Sequence, residues 1–95
     1  MISAIPDQEV DLARFGIFIG PNPTEGRLNI SISNEFVGNI LFRIIDMSGR
    51  VYLVEELAKS ELEMDVVLDL YGPRGVYILQ IQTSNLKLYK KIIKL

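Results

Sequence analysis

Arg27-Leu28-Asn29-Ile30-Ser31-Ile32-Ser33 alternates polar and apolar residues without a break. Successive side chains of a β-strand point to opposite faces, so this run puts Leu28, Ile30 and Ile32 on one face and its polar residues on the other. No helical face gathers those three isoleucine and leucine positions. The period-two reading extends outward in both directions. Leu62–Leu70 alternates in the same way, with Leu62, Met64, Val66, Leu68 and Leu70 on one side and Glu63, Asp65 and Asp69 on the other. Val37–Asp46 places Ile40, Phe42 and Ile44 together, while Leu41 and Ile45 fall on the opposite face, which predicts a strand covered on both sides. Phe15–Gly20, Arg50–Leu57, Gly75–Thr83 and Leu86–Leu95 complete a set of seven short strands. In the last of these the alternation breaks near Lys90-Lys91, which predicts a bulge or a register change.

The connections carry turn chemistry. Pro21-Asn22-Pro23-Thr24-Glu25-Gly26 holds two prolines that fix φ and a glycine free to take positive φ. Asp46-Met47-Ser48-Gly49 predicts a hairpin loop built on a type I turn, with glycine in the left-handed position. Gly72-Pro73-Arg74-Gly75 and Ser84-Asn85 read as two further turns, and Ala58–Glu61 as a polar crossover. Met1 to Arg14 reads as a linker in which Gln8–Phe15 leaves room for a helical turn. Seven strands at near-even spacing predict an all-β sandwich. The strand count alone leaves an immunoglobulin-like topology and other sandwiches open.

Composition narrows the chemistry. The 95 residues suffice for one domain, which buries roughly 60–65% of its unfolded surface and leaves little room for an enclosed cleft. Cysteine and histidine are both absent, which removes disulfides, thiolate metal sites, cysteine nucleophiles and the commonest general base. Glu63, Asp65 and Asp69 share one strand face, but no calcium-loop spacing surrounds them. The chain therefore reads as a protein that is not an enzyme and that holds no metal or cofactor. No apolar run of 18 or more residues occurs, so no helix is expected to insert in a membrane. Met1 to Asp11 lacks the basic and apolar regions of a signal peptide, so an export signal, if used, is expected upstream.

Charge is graded along the chain. Residues 1–69 carry 5 basic against 12 acidic side chains, whereas residues 70–95 carry Arg74, Lys87, Lys90, Lys91 and Lys94 and no acid. This footprint is too narrow for nucleic acid. Two readings of the lysines stay open: an edge strand guarded against aggregation, or a charged strand that a partner engages.

Three landmarks follow one another in fixed order: Pro21-Asn22-Pro23-Thr24-Glu25-Gly26, then Ile44-Ile45-Asp46-Met47-Ser48-Gly49-Arg50-Val51, then Gly75-Val76-Tyr77 with a terminal Lys90-Lys91-Ile92-Ile93-Lys94. The order and spacing closely resemble the type A C-terminal sorting domain of the type IX (Por) secretion system. That family shows a PNP-x-x-G turn, an apolar-Asp-x-x-Gly-Arg/Lys hairpin, a Gly-x-Tyr strand and a Lys-Lys-Ile/Val-Ile end. The resemblance covers about Phe15 to Leu95, and departs at Gly20, where the family often has an aromatic residue.

The resemblance implies a seven-stranded immunoglobulin-like antiparallel sandwich at the C-terminus of a larger cargo protein. It implies passage through the periplasm, recognition of the folded domain by an outer-membrane translocon, and removal by a sortase-like surface protease. Cleavage would then fall in Ile2–Arg14, and the cargo would reach the cell surface or the medium. The expected recognition residues are Pro21, Asn22, Pro23, Gly26, Gly75, Tyr77, Lys90, Lys91 and Lys94. For Pro21–Gly26 a rigid turn and a contact loop are both admissible, and for Tyr77 a core position and a contact. A structural or sugar-binding sandwich of an extracellular enzyme is the alternative, although Tyr52, Tyr71, Tyr77 and Tyr89 form no obvious stacking stripe.

Overall fold

The computed structural model describes residues 11–95. Seven strands form: β1 (Ile17–Gly20), β2 (Arg27–Ser33), β3 (Gly38–Asp46), β4 (Val51–Lys59), β5 (Glu63–Asp69), β6 (Gly75–Gln82) and β7 (Lys87–Lys94). They build two antiparallel sheets, ordered β1-β2-β5 and β4-β3-β6-β7. This is an immunoglobulin-like sandwich in which the fourth strand has joined the sheet of β3, β6 and β7.

The alternation read from the sequence sets the core. Leu28, Ile30 and Ile32 of β2 face Ile40, Phe42 and Ile44 of β3, with Leu68, Leu79, Leu88 and Ile92 filling the same layer. The Asp46–Gly49 turn forms as expected: the Gly49 N–H donates to the Asp46 carbonyl at 3.0 Å, and Gly49 has φ +93°.

Three local expectations change. No register shift occurs near Lys90-Lys91: β6 and β7 pair continuously from Gly75 opposite Lys94 to Gln82 opposite Lys87. Lys90 keeps the inward parity of Leu88 and Ile92 and is half-buried there; an edge strand tolerates this because a lysine can lay its aliphatic stem along apolar surface. The shift observed falls between Ile44 and Ile45, where β3 meets β4. Phe15 belongs not to β1 but to a 3-10 turn, Leu12–Phe15, whose Leu12 is buried in the core. Finally, β4 runs through Ala58 and Lys59, which the sequence reading gave to a crossover.

Lys59 is the consequence of that extension. It continues the inward parity of Leu53 and Leu57 and is only 1% exposed. Its ammonium donates to the carbonyls of Asn34 and Phe36, both at 2.9 Å, and to that of Glu61. One buried cation thus ties the β2–β3 loop to the β4–β5 crossover. Three peptide dipoles replace the water it gave up, so its burial is tolerated.

Two substitutions test this packing by urea unfolding. Phe42→Ala, at a fully buried position, is expected to lower stability by about 3–5 kcal/mol. Lys59→Met leaves three part-buried carbonyls without their donor and is expected to cost about 2 kcal/mol or more. An unchanged midpoint for Lys59→Met would contradict the clamp.

Candidate functional site

The three landmarks, far apart in sequence, meet at one end of the four-stranded sheet. Gly75 lies opposite Lys94, and Tyr77 opposite Ile92. Asp46, from the middle landmark, lies opposite Tyr77 on the other side of β6. The Pro21–Gly26 loop then runs along the outer edge of β7.

That contact follows from how an antiparallel strand spends its backbone. Alternate residues of an edge strand turn both N–H and C=O away from their only neighbour. In β7 Ile93 is one of these. The Ile93 N–H donates to Asn22 Oδ1 at 2.9 Å, and the Ile93 carbonyl accepts from the Thr24 N–H at 2.9 Å. Asn22 Nδ2 donates to the Lys91 carbonyl at 2.9 Å, and the Leu95 N–H to the Thr24 carbonyl at 2.8 Å. The Asn22 carboxamide therefore stands in for a peptide unit, and the loop acts as a short parallel strand. Pro21 and Pro23 both follow cis peptide bonds. Having no N–H to offer, the prolines close this stretch to further strand addition.

The loop is braced from within. Thr24, 1% exposed, donates its hydroxyl to the Arg27 carbonyl at 2.6 Å and accepts from the Gly26 N–H at 3.0 Å. Gly26 has φ +142°, and a Cβ there would stand 3.2 Å from the Leu70 carbonyl and 3.6 Å from Lys94 Cε. Glycine is thus needed for both conformation and space.

Tyr77 is buried, so its ring offers no outer surface. Its hydroxyl donates to the Pro73 carbonyl, and its ring meets that of Tyr52 edge-on at 5.3 Å. Burial, with the Tyr52 and Asp46 charges, raises its pKa. Gly75 opens β6 with φ +153° and open space where a Cβ would stand.

The lysines do not form one stripe. Lys87 and Lys91 take the outward parity of β7, Lys90 and Lys94 the inward one. Pro21, Asn22, Pro23, Gly75 and Lys91 are exposed, whereas Gly26, Lys90 and Lys94 are half-buried.

Other residues carry less. Asp46 Oδ1 accepts from the Ser48 hydroxyl at 2.7 Å and from the Ser48 and Arg50 N–H groups, both at 2.9 Å. These bonds, the Ser48 hydroxyl first, hold the carboxyl below its ordinary value. Asp69 pairs with Arg27 at 3.0 Å on the outer face of the small sheet. A cavity of about 370 Å³ lies at the end of the sandwich lined by Phe15, Phe36 and Leu86, and among the described residues no carboxylate lines it.

With this geometry in place the comparisons are specific. The family profile of the secretion system C-terminal sorting domain matches residues 18–95. Curated proteins gave no match to the chain. The chain belongs to this family of sorting domains, and it carries a C-terminal signal for type IX secretion. The family is one of sorting signals rather than of enzymes, and it implies contact with the secretion machinery and delivery of a cargo polypeptide to the surface or beyond.

Sequence reading missed Thr24 as the pivot of the loop and the Asn22–Ile93 pairing. The signal available was polar residues between prolines facing a strand that ends a sheet.

Asn22→Ala removes two hydrogen bonds to β7 and is expected to cost about 1–2 kcal/mol. Hydrogen exchange should show the Ile93 amide losing protection while the amides of β3 keep theirs; equal protection at Ile93 in both proteins would refute the pairing. Acid tests the Asp46 turn. A lowered carboxyl pKa stabilises the fold above the unfolded value, about 4, and that contribution is lost as pH falls through the folded value. Unfolding curves should show this loss, and Asp46→Asn should remove it.

Proposed function

We propose that an outer-membrane translocon reads the domain in its folded state, at the edge built from β7 and the Asn22–Thr24 loop. The meeting of the first and last landmarks on that edge carries the reading: residues 69 and 71 positions apart are hydrogen-bonded there, so the surface exists only after folding. The Asn22–Thr24 loop fixes the end of β7, and the exposed Lys91 with its half-buried neighbours Lys90 and Lys94 supplies positive charge. Gly26 and Gly75 let the backbone turn into this arrangement, and Tyr77 positions it from beneath. A pre-formed surface loses little conformational entropy on binding.

In this reading the cargo crosses the periplasm attached to the domain, and a sortase-like surface protease then cuts within Ile2–Arg14. Residues 2–10 of that stretch lie outside the described residues. Burial of Leu12 favours a bond before it, because proteases act on exposed, extended chain. The domain proper, placed at residues 15–95 by sequence, remains the part that is recognised.

The test is a fusion of residues 1–95 behind a signal peptide and a fluorescent reporter, in a bacterium with a working type IX system. Reporter should leave the cell only when the translocon is present. Charge reversal by Lys91→Glu with Lys94→Glu should lower secretion by about tenfold, the effect of about 1.4 kcal/mol in binding, with the fold intact by circular dichroism. Translocon-independent export, or wild-type export of the reversed domain, would overturn the reading.

A further inference from the structure

Protein interiors are close-packed and leave few voids larger than a water molecule. One end of this sandwich keeps a void of about 370 Å³. Its floor is Ile32 of the small sheet with Ile40, Ile81 and Leu88 of the large one, all buried. Its rim is Phe15 and Phe36, both half-buried, and Leu86, which is 37% exposed. Only the rim meets solvent to any extent, so the void runs inward between the sheets. It lies at the opposite end of β7 from the Asn22–Thr24 loop.

Polar contacts pin the rim. Asn34 Nδ2 donates to the Phe15 carbonyl at 2.8 Å, and Asn34 Oδ1 accepts from the Phe36 N–H at 3.1 Å. The Ser33 N–H donates to the Gly16 carbonyl at 2.8 Å, and Lys59 holds the Asn34 and Phe36 carbonyls. In the β6–β7 turn the Thr83 N–H donates to the Leu86 carbonyl at 2.8 Å, and the Thr83 hydroxyl to Asn85 Oδ1 at 3.1 Å. These bonds keep the rim from collapsing inward, so the pocket is pre-formed. They also occupy the Asn34 carboxamide and the Thr83 hydroxyl. Arg14, which is exposed, is the one charged residue lining the pocket among the described residues. No carboxylate pairs with it among those residues, and Glu35, beside Asn34 in sequence, does not line the pocket. An apolar slot with one unpaired cation at its mouth selects an apolar chain that ends in an anion.

We propose that this pocket binds a single acyl chain with an anionic head, the chain lying among Phe15, Phe36 and Leu86 and the head beside Arg14. A free fatty acid and a lysophospholipid share that chemistry. The proposal does not rest on the sorting reading, because the pocket belongs to the folded domain itself. Water alone fits less well: a bound water needs two to four polar partners, whereas the floor is four aliphatic side chains. A neutral apolar molecule would fill the slot but leave Arg14 unused.

The experiment titrates the purified chain with hexanoate, octanoate and decanoate by calorimetry. Affinity should rise about fourfold for each methylene that enters the pocket. Decanoate should shift the amide resonances of Phe15, Phe36 and Leu86. That of Val54, opposite Arg43 on the outer face of the large sheet, should stay in place. Leu86→Trp at the rim and Ile81→Phe at the floor fill the pocket, and each should weaken decanoate about tenfold or more. Urea midpoints establish that each variant is folded, and Leu86→Trp, at a partly exposed position, carries the test if Ile81→Phe does not fold. Arg14→Gln should weaken decanoate about fivefold, the scale of an exposed ion pair, and leave decanol unchanged. Decanoyl lysophosphatidylglycerol separates the sources: tighter binding than decanoate supports a phospholipid, and weaker binding supports a free fatty acid. Absence of saturable binding, affinity independent of chain length, or decanoate binding that survives Leu86→Trp would overturn the proposal. Equal effects of Arg14→Gln on decanoate and decanol would overturn its anionic head.

Discussion

The carboxamide of Asn22, held between the Lys91 carbonyl and the Ile93 N–H, is the contact on which the rest of this surface depends. An edge strand exposes a row of backbone groups that must find partners or remain open to any passing strand. Here a proline-bordered loop from the far end of the chain takes up the last of those groups. In doing so it fixes the end of β7 and stops the sheet from growing at that corner. The arrangement is non-local, so the same residues in an unfolded chain present nothing of it.

Beneath the edge, stability comes from packing and from a few well-placed polar contacts rather than from covalent links. With no cysteine to cross-link, the two sheets are held by their shared apolar layer, and the loops by Lys59, Thr24 and Tyr77. Each of these three polar side chains is buried, and each has its hydrogen-bonding group matched to backbone carbonyls or amides. A targeting module that must stay folded until it is recognised is well served by such anchoring, because the loops that define its surface are then tied to its core.

Much of this was legible in the residues. Strict alternation in β2 and β5 specified strands with one buried face, and turn chemistry at Asp46–Gly49 specified a hairpin, because both signals are local. Lys59 was not legible as a clamp: a lysine after Ala58 reads as a polar crossover unless the inward parity of Leu53 and Leu57 is carried two residues further. Lys90 misled in the opposite direction, since a charged residue at an inward position mimics a break in register. The pairing of the Pro21–Gly26 loop with β7 lay beyond local pattern altogether, because it joins residues about seventy positions apart. Family resemblance named the same residues, but only the fold shows that they are neighbours.

The central claim is that the folded surface, not the string of motif residues, is what secretion reads. Phe42→Ala separates the two, because it keeps every landmark residue and removes a fully buried ring. The measurement is export of the reporter fusion carrying Phe42→Ala, alongside the folded fraction of the same domain. Export falling in step with the folded fraction is the predicted result. Wild-type export by a domain shown to be unfolded would contradict it.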